Sequence, residues 1–258
     1  MFLEKMTTAQ AETAFDRDPL VVIPIGSTEQ HGPQCALGTD FLVPRYLAEQ
    51  IADLDRVVVA PTIPFGVCGY HMSFSGTIDL GVDGLYTVIS RVTGSLMQHG
   101  ARRFLVINGH GGNNPAIDRA ALDVYHAGGV LASVDWWSVV GQLDGRFAGG
   151  GHGDKLETSA MLAIDPECVD LSLAKDMNPQ NPTEEIKAQY IQMVNFHGGS
   201  VRLPRDTREI APSGWFGPMD PRQASREYGQ AMLAVCVKFL REFIPEYLKM
   251  NPSTGGTP

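Results

Sequence analysis

Four runs of apolar, largely β-branched residues punctuate the first half of the chain: LVVIPIG at 20–26, RVVVAPTI at 56–63, RFLVIN at 103–108 and GVLASVD at 129–135. They are apolar throughout rather than alternating, the pattern of strands covered on both faces. Between them, residues 40–54, 82–99 and 114–127 carry apolar side chains at three- and four-residue spacing, which predicts helices. Such alternation builds a mostly parallel sheet with helices on both sides, a three-layer α/β/α fold. After Leu171 the periodicity weakens. NPQNP, HGGS and PSGWFGP mark an irregular excursion over about 171–219, with one helix expected near 184–194. A long helix over about 221–246 is expected to lay Ala231, Leu233, Val235, Val237, Phe239 and Leu240 partly on the sheet. The excursion does not read as a separate unit, so residues 1–258 are expected to form one domain, with the GGTP tail frayed.

Composition narrows the classes. The 258 residues, 43% hydrophobic and 19% charged, can bury a sizeable core. Twenty Lys+Arg against 29 Asp+Glu give a formal charge of -9, which repels a phosphate backbone and argues against nucleic acid. Cys35, Cys68, Cys168 and Cys236 lie far apart with no CxxC pair, as isolated thiols of a reducing compartment do. The N-terminus, MFLEKMTTAQAETAF, mixes charged and apolar groups and holds a Thr-led helix start, unlike a secretory signal. No segment approaches the roughly 18 apolar residues that a membrane span needs. The expectation is a soluble cytoplasmic protein with no nucleic-acid or membrane partner.

In open parallel sheets, reactive loops gather at the carboxyl ends of the strands. Residues 26–40, GSTEQHGPQCALGTD, place Glu29, His31 and Asp40 after the first strand. Imidazole and carboxylate are the ligands that divalent transition metals favour, although a solvated loop, or an N-cap role for Asp40, explains the residues equally well. NGHGGNN at 108–114 ends the third strand with His110 in a glycine-rich loop, and Asn113 or Asn114 is a candidate cap for the next helix. In GGGHGDKLETSAML, His152 precedes a helix start at which Asp154 is a fair N-cap and Glu157 falls at its third position, as a capping-box carboxylate, a metal ligand or a base. His71 follows the second strand, either contacting substrate or satisfied by backbone. His99 and His126, at helix ends, read as structural.

Together these segments resemble the creatininase (creatinine amidohydrolase) family of metal-dependent amide hydrolases. The likeness covers about residues 18–165. It includes the E-x-H with Asp nine residues later, HMSFSGTIDL, HGARRFLVINGHGGN and HGDKLETS; SGWFGPMDPRQASREYGQ is similar to the family's closing G-x-x-G-x-P…A-S…G pattern. The resemblance implies a creatininase-like fold and two divalent metal ions per subunit (Zn, Mn or Fe). Asp40 would bridge them, Glu29 and His110 would complete one site, and His31 would bind the other ion. Creatininase proper has an aromatic residue and a glutamate directly after NGH, where this chain has Gly111 and Gly112. Either Glu157 replaces that glutamate or the site holds one ion. His152 matches the family's proton-transfer histidine, with Glu157 beside it as a catalytic candidate. Trp137 matches an aromatic over the pocket; with His71 and Asn113 it makes up the candidate substrate-binding set.

A second pocket tryptophan expected about four residues before His152 is replaced by Ala148, which leads away from creatinine itself. Other branches deformylate a pyrimidine nucleotide intermediate or trim a peptide during redox-cofactor maturation, and the NGHGGN form is more similar to theirs. The implied function is hydrolysis of a non-peptide or cyclic amide C–N bond by metal-activated water. The alternatives are a formamide deformylase, a peptide-trimming hydrolase, or a non-catalytic metal-binding protein. The resemblance further implies a small-molecule amide substrate and a homo-oligomer, often a hexamer. A hydrolase using Cys35 or Ser159 is the remaining rival, and no G-x-S-x-G elbow surrounds either residue.

Overall fold

Thr7 starts the first helix, α1 (Thr8–Phe15), through a capping box in which its hydroxyl accepts from Gln10 N and the Gln10 carboxamide accepts from Thr7 N. The chain, described here over residues 1–252 in a computed structural model, continues as β1 (Leu20–Ile25), α2 (Thr39–Glu49), β2 (Val57–Val59), α3 (Gly81–Gln98), β3 (Arg103–Asn108), α4 (Asn114–His126) and β4 (Val130–Asp135). The expected fraying of the GGTP tail lies outside the described residues. All four strands are parallel, in the order β2-β1-β3-β4. The register of β1 on β3 runs from Leu20–Arg103 to Ile25–Asn108, so their carboxyl ends are level. Next come α5 (Trp136–Leu143), α6 (Lys155–Ile164), the strands β5 (Lys187–Tyr190), β6 (Met193–Phe196) and β7 (Gly199–Arg202), the short α7 (Thr207–Ile210) and α8 (Arg226–Tyr247).

Alternate side chains of β1 feed two cores. Leu20 and Val22 pack with Val43 and Leu47 of α2, Trp136 of α5, Met161 of α6 and Leu240 of α8. Val21, Ile23 and Ile25 face Phe15 of α1, Ile89 of α3 and Ile117 of α4. The result is the expected three-layer α/β fold. Among the described residues no helix is long and apolar enough to cross a membrane, and the four cysteines are free thiols.

Three expectations need correction. No helix forms near 184–194; β5, β6 and β7 are an antiparallel meander there. Ala188, Ile191 and Val194 stand three residues apart and imitate a helical face, yet the chain reverses at His197 and Gly198, both at positive φ (49° and 88°), the signature of a two-residue hairpin loop. In α8 the buried residues are Gly229, Met232, Leu233, Cys236, Leu240, Ile244 and Tyr247. Of the expected set, Leu233 and Leu240 are in the core and Val235, Val237 and Phe239 pack half-buried against it, whereas Ala231 is exposed and Met232 is buried in its place. Strand β4 lies at the sheet edge with Ser133 exposed, so it is not covered on both faces.

One close approach decides where Asp40 goes. Pro44, inside α2, has no N–H to offer the Asp40 carbonyl one turn back. That carbonyl instead lies against the ends of β1 and β3, where a Cβ on Gly26 or Gly109 would come within 2.2 Å or 1.7 Å of it. Only glycine fits there. Gly109→Ala is expected to cost about 3 kcal/mol, the upper range for overpacking, read as a lower urea midpoint with an unchanged m-value.

Candidate metal centre

Level strand ends and the seated α2 bring ionisable side chains together in the interior. Glu29, His31 and Asp40 are each no more than 3% exposed. His31 Nε2 lies 2.9 Å from Asp40 Oδ1, and His110 Nδ1 lies 3.1 Å from Asp40 Oδ2 and 3.2 Å from Glu29 Oε1. Asp40 is thus not an N-cap; that position belongs to Gly38, and the carboxylate lies between two imidazoles. Asp154 caps α6 as expected, accepting from Leu156 N. Glu157 accepts from Gly153 N at 2.6 Å and lies 3.5 Å from His31 Nε2, so it serves the helix start and the cluster together.

The backs of the imidazoles are held by the chain. His31 Nδ1 donates to the Glu29 carbonyl (3.0 Å) and His110 Nε2 to the Val67 carbonyl (2.9 Å), which turns the other nitrogen of each ring inward. His71 Nε2 and His152 Nδ1 lie 3.3 and 3.7 Å from Glu29 Oε1, with the two rings stacked. Gln30 ties this pair together. Its carbonyl accepts from Gly32 N, and its amide reaches Gly214 O, His71 Nδ1 and His152 Nε2 at 2.8–2.9 Å. Two N–H bonds cannot serve three acceptors, and the Thr207 hydroxyl, 2.8 Å from His71 Nδ1, completes the set.

Burial and neighbours set the charges. Burial, aided by nearby imidazoles, pushes His71 and His152 well below the usual histidine range, so both are neutral at pH 7. Burial also opposes charge on His31, but Asp40 and Glu157 outweigh it and hold the ring at about 10. Burial raises Glu157 to about 8 despite His31. His31 and His110 keep Asp40 below the carboxylate range against the effect of burial.

These residues suit metal ions. Neither oxygen of Glu29 nor Oδ2 of Asp40 accepts a hydrogen bond, although all three are buried, a costly arrangement for carboxylates. Glu29, Asp40 and His110 form one trio of ligand atoms within 4.8 Å of one another, and His31, Asp40 and Glu157 a second that shares Asp40; His152 groups with Glu29 and His31. Imidazole nitrogen with carboxylate oxygen is the donor set of zinc or manganese, and a shared carboxylate can hold two ions side by side.

A cleft of about 260 Å³ opens over the cluster, lined by His71, His110, Trp137, His152 and Glu157. Asn113 is not among its lining. Its carboxamide is buried and bonded to Gly26 O, Asn108 Oδ1 and Val67 N, a latch between loops that leaves nothing for a substrate. Tyr190, Gln192 and Arg202 of the meander, absent from the sequence-based set, complete the wall. Gln30 was missed too, although it stands between Glu29 and His31.

Fold and site first define a class: a three-layer α/β protein with a carboxylate–imidazole cluster at the carboxyl ends of its parallel strands. The family model described as creatininase, creatinine amidohydrolase, matches residues 4–244, and the chain belongs to that family. It is 36% identical over 160 residues to the mycofactocin precursor peptide peptidase of Mycobacterium ulcerans, covering 58% of this chain and 60% of that protein. The chain therefore spans about three fifths of that relative's length. It is 28% identical over 253 residues to the creatinine amidohydrolase of Pseudomonas putida, covering 89% and 90%. Among solved structures, a mutant creatininase of Zn-Zn type superposes with a TM-score of 0.75 at 26% identity, covering 96% and 98% of the two chains.

Where creatininase proper has a glutamate, a Cβ on Gly112 would meet Val67 O at 2.3 Å and His110 Nε2 at 2.4 Å. Gly112→Glu is therefore expected to weaken metal retention and to lower stability by about 2 kcal/mol, measured by metal content and urea unfolding. Protein stripped of divalent ions carries protons on His31 and Glu157 at pH 7, and an incoming cation must displace them. Zinc uptake is expected to release protons and to tighten from about pH 6 to about pH 8, as read by calorimetry in buffers of different ionisation enthalpy.

Proposed function

We propose that this creatininase-family amidohydrolase is a divalent-metal-dependent hydrolase of amide C–N bonds. The observation that carries the reading is Asp40, whose two buried carboxylate oxygens each face a different imidazole, with Glu29 completing one ligand trio and Glu157 the other. Glu29, Asp40 and His110 would hold one ion and His31, Asp40 and Glu157 the second. When bound, such ions polarise an amide carbonyl and acidify water near neutral pH. His152, its ring fixed between His31 and His71 and its Nε2 engaged by Gln30, turns Nδ1 to the cluster. There the ring would take up a proton released by the attacking water and return one to the leaving nitrogen, a contribution of roughly 10²- to 10⁴-fold. Trp137 lies against Gly111 at the cleft and shields one side of it from water.

The nucleophile rivals lose support. The Cys35 thiol is buried, which pushes it up to about 12, and it contacts Thr39; the Ser159 hydroxyl is buried and accepts from Ser225 N. A peptide-trimming activity is the second reading, favoured by the higher identity to the mycobacterial peptidase. The reading includes one domain, which the family match over residues 4–244 supports, and a homo-oligomer.

The test is metal analysis of the purified protein, followed by a screen of cyclic amides, formamides and short peptides. Chelator should abolish hydrolysis, added zinc or manganese should restore it, and Asp40→Ala should lose metal and activity together. An active, fully metallated Asp40→Ala protein, or hydrolysis indifferent to chelator, overturns the reading.

A further inference from the structure

The wall of the cleft holds a cation that the cluster chemistry does not use. Among the described residues, seven of the fourteen arginines, Arg103 and Arg241 included, have a carboxylate within 4.0 Å, and Arg202 is one of the seven that do not. Arg202 lines the cleft, and among the described residues its guanidinium bonds only the Gln192 carboxamide, with Nη2 donating to Oε1 at 3.3 Å. Of the arginines without a carboxylate, Arg202 is the one that lines the cleft, in a chain with nine more acidic than basic residues.

The backbone that carries the pair is anchored, while the Arg202 side chain is exposed. Gln192 follows Ile191, which is 2% exposed and packs with Ile210, Ala211 and Phe216, pinning the β5–β6 turn to the body of the protein. The Gln192 carbonyl accepts from Leu203 N, directly after Arg202, so both side chains stand on one ladder. A guanidinium offers five donors in a planar fork that matches a carboxylate in two-point contact, and only one is engaged by Gln192. With Oε1 occupied, the Gln192 amide presents its N–H groups. At about 260 Å³ the cleft falls below the roughly 300–1,000 Å³ typical of drug-sized ligands. A group held at Arg202 and an amide held at the cluster therefore belong to one small molecule or to one chain end.

We infer that Arg202, steadied by Gln192, is a specificity-determining residue that binds a carboxylate carried by the substrate close to its scissile amide. This rests on the metal-centre reading, and it narrows the substrate class to amides with a free neighbouring carboxylate, which a neutral cyclic amide lacks.

The experiment uses two probes that anchor on zinc through a hydroxamate, succinic monohydroxamate and its terminal carboxamide, titrated by calorimetry into the zinc-loaded and the zinc-free protein. The acid should bind the zinc-loaded protein at least about tenfold more tightly than the carboxamide, as loss of a charge-assisted contact requires. Arg202→Gln should bring the two affinities together while binding remains zinc-dependent. Equal affinities in the unaltered protein, or a preference that survives Arg202→Gln, overturn the inference and leave the metal centre standing. Probes that bind no better with zinc than without it overturn the metal-centre reading, and this inference with it.

Discussion

Three carboxylates, the buried Glu29 and Asp40 and the largely buried Glu157, are held within reach of one another, and that constraint organises the molecule. A buried carboxylate costs several kcal/mol unless opposite charge or donors meet it. Here His31 and His110 supply charge, Gly153 N donates to Glu157, and Asp40 and Glu157 each stand in the first turn of a helix, where the macrodipole favours anions. Divalent cations would complete the balance for the oxygens of Glu29 and Asp40 that no hydrogen bond reaches. Much of the fold follows from this demand: two strand ends level with each other, two helices aimed amino end first at one point, and glycines that let Asp40 close on the sheet.

Under the proposed reading, the relation to creatininase would be one in which a ligand moves while a site is kept. With Gly112 pressed against the Val67 carbonyl and the His110 ring, the loop after β3 has no room for a side chain. The second trio draws instead on Glu157, from a different helix on the opposite side of the cluster. The same residue accepts from Gly153 N, next to the helix cap. Under that reading, structural and ligand roles would coincide in one carboxylate, and neither could be altered alone.

Legibility in the sequence followed the physics of each segment. The four strands could be read because buried parallel strands must be apolar on both faces, and level strand ends turn short polar loops into neighbours; Glu29, His31, Asp40 and His110 were legible for that reason. Asn113 was misjudged, since an Asn beside NGH looks available until its three loop partners are known. Gln30 escaped notice because a neutral amide between two candidate ligands carries no charge to mark it. A helix was expected over part of the meander, where Ala188, Ile191 and Val194 recur every three residues as on a helical face. The HG step at 197–198, at positive φ in both residues, was the local sign of a hairpin.

That misreading matters most at the cleft. The floor is built from strand ends and first helical turns that the core immobilises, so its chemistry is fixed by the fold. The wall is a three-stranded ribbon whose outer strand, β7, is exposed along its whole length and is tied down mainly through Ile191 and Val194. Side chains on such a ribbon can change without disturbing either core, which is the condition under which loops over a rigid scaffold come to set specificity. The floor therefore speaks for the reaction and the wall for the substrate. Of the cleft-lining side chains only the histidines and Arg202 can carry positive charge, and His71 and His152 among them are kept neutral by burial. Under the proposed function, Arg202 would accordingly be the wall residue whose charge selects among amides that the floor treats alike.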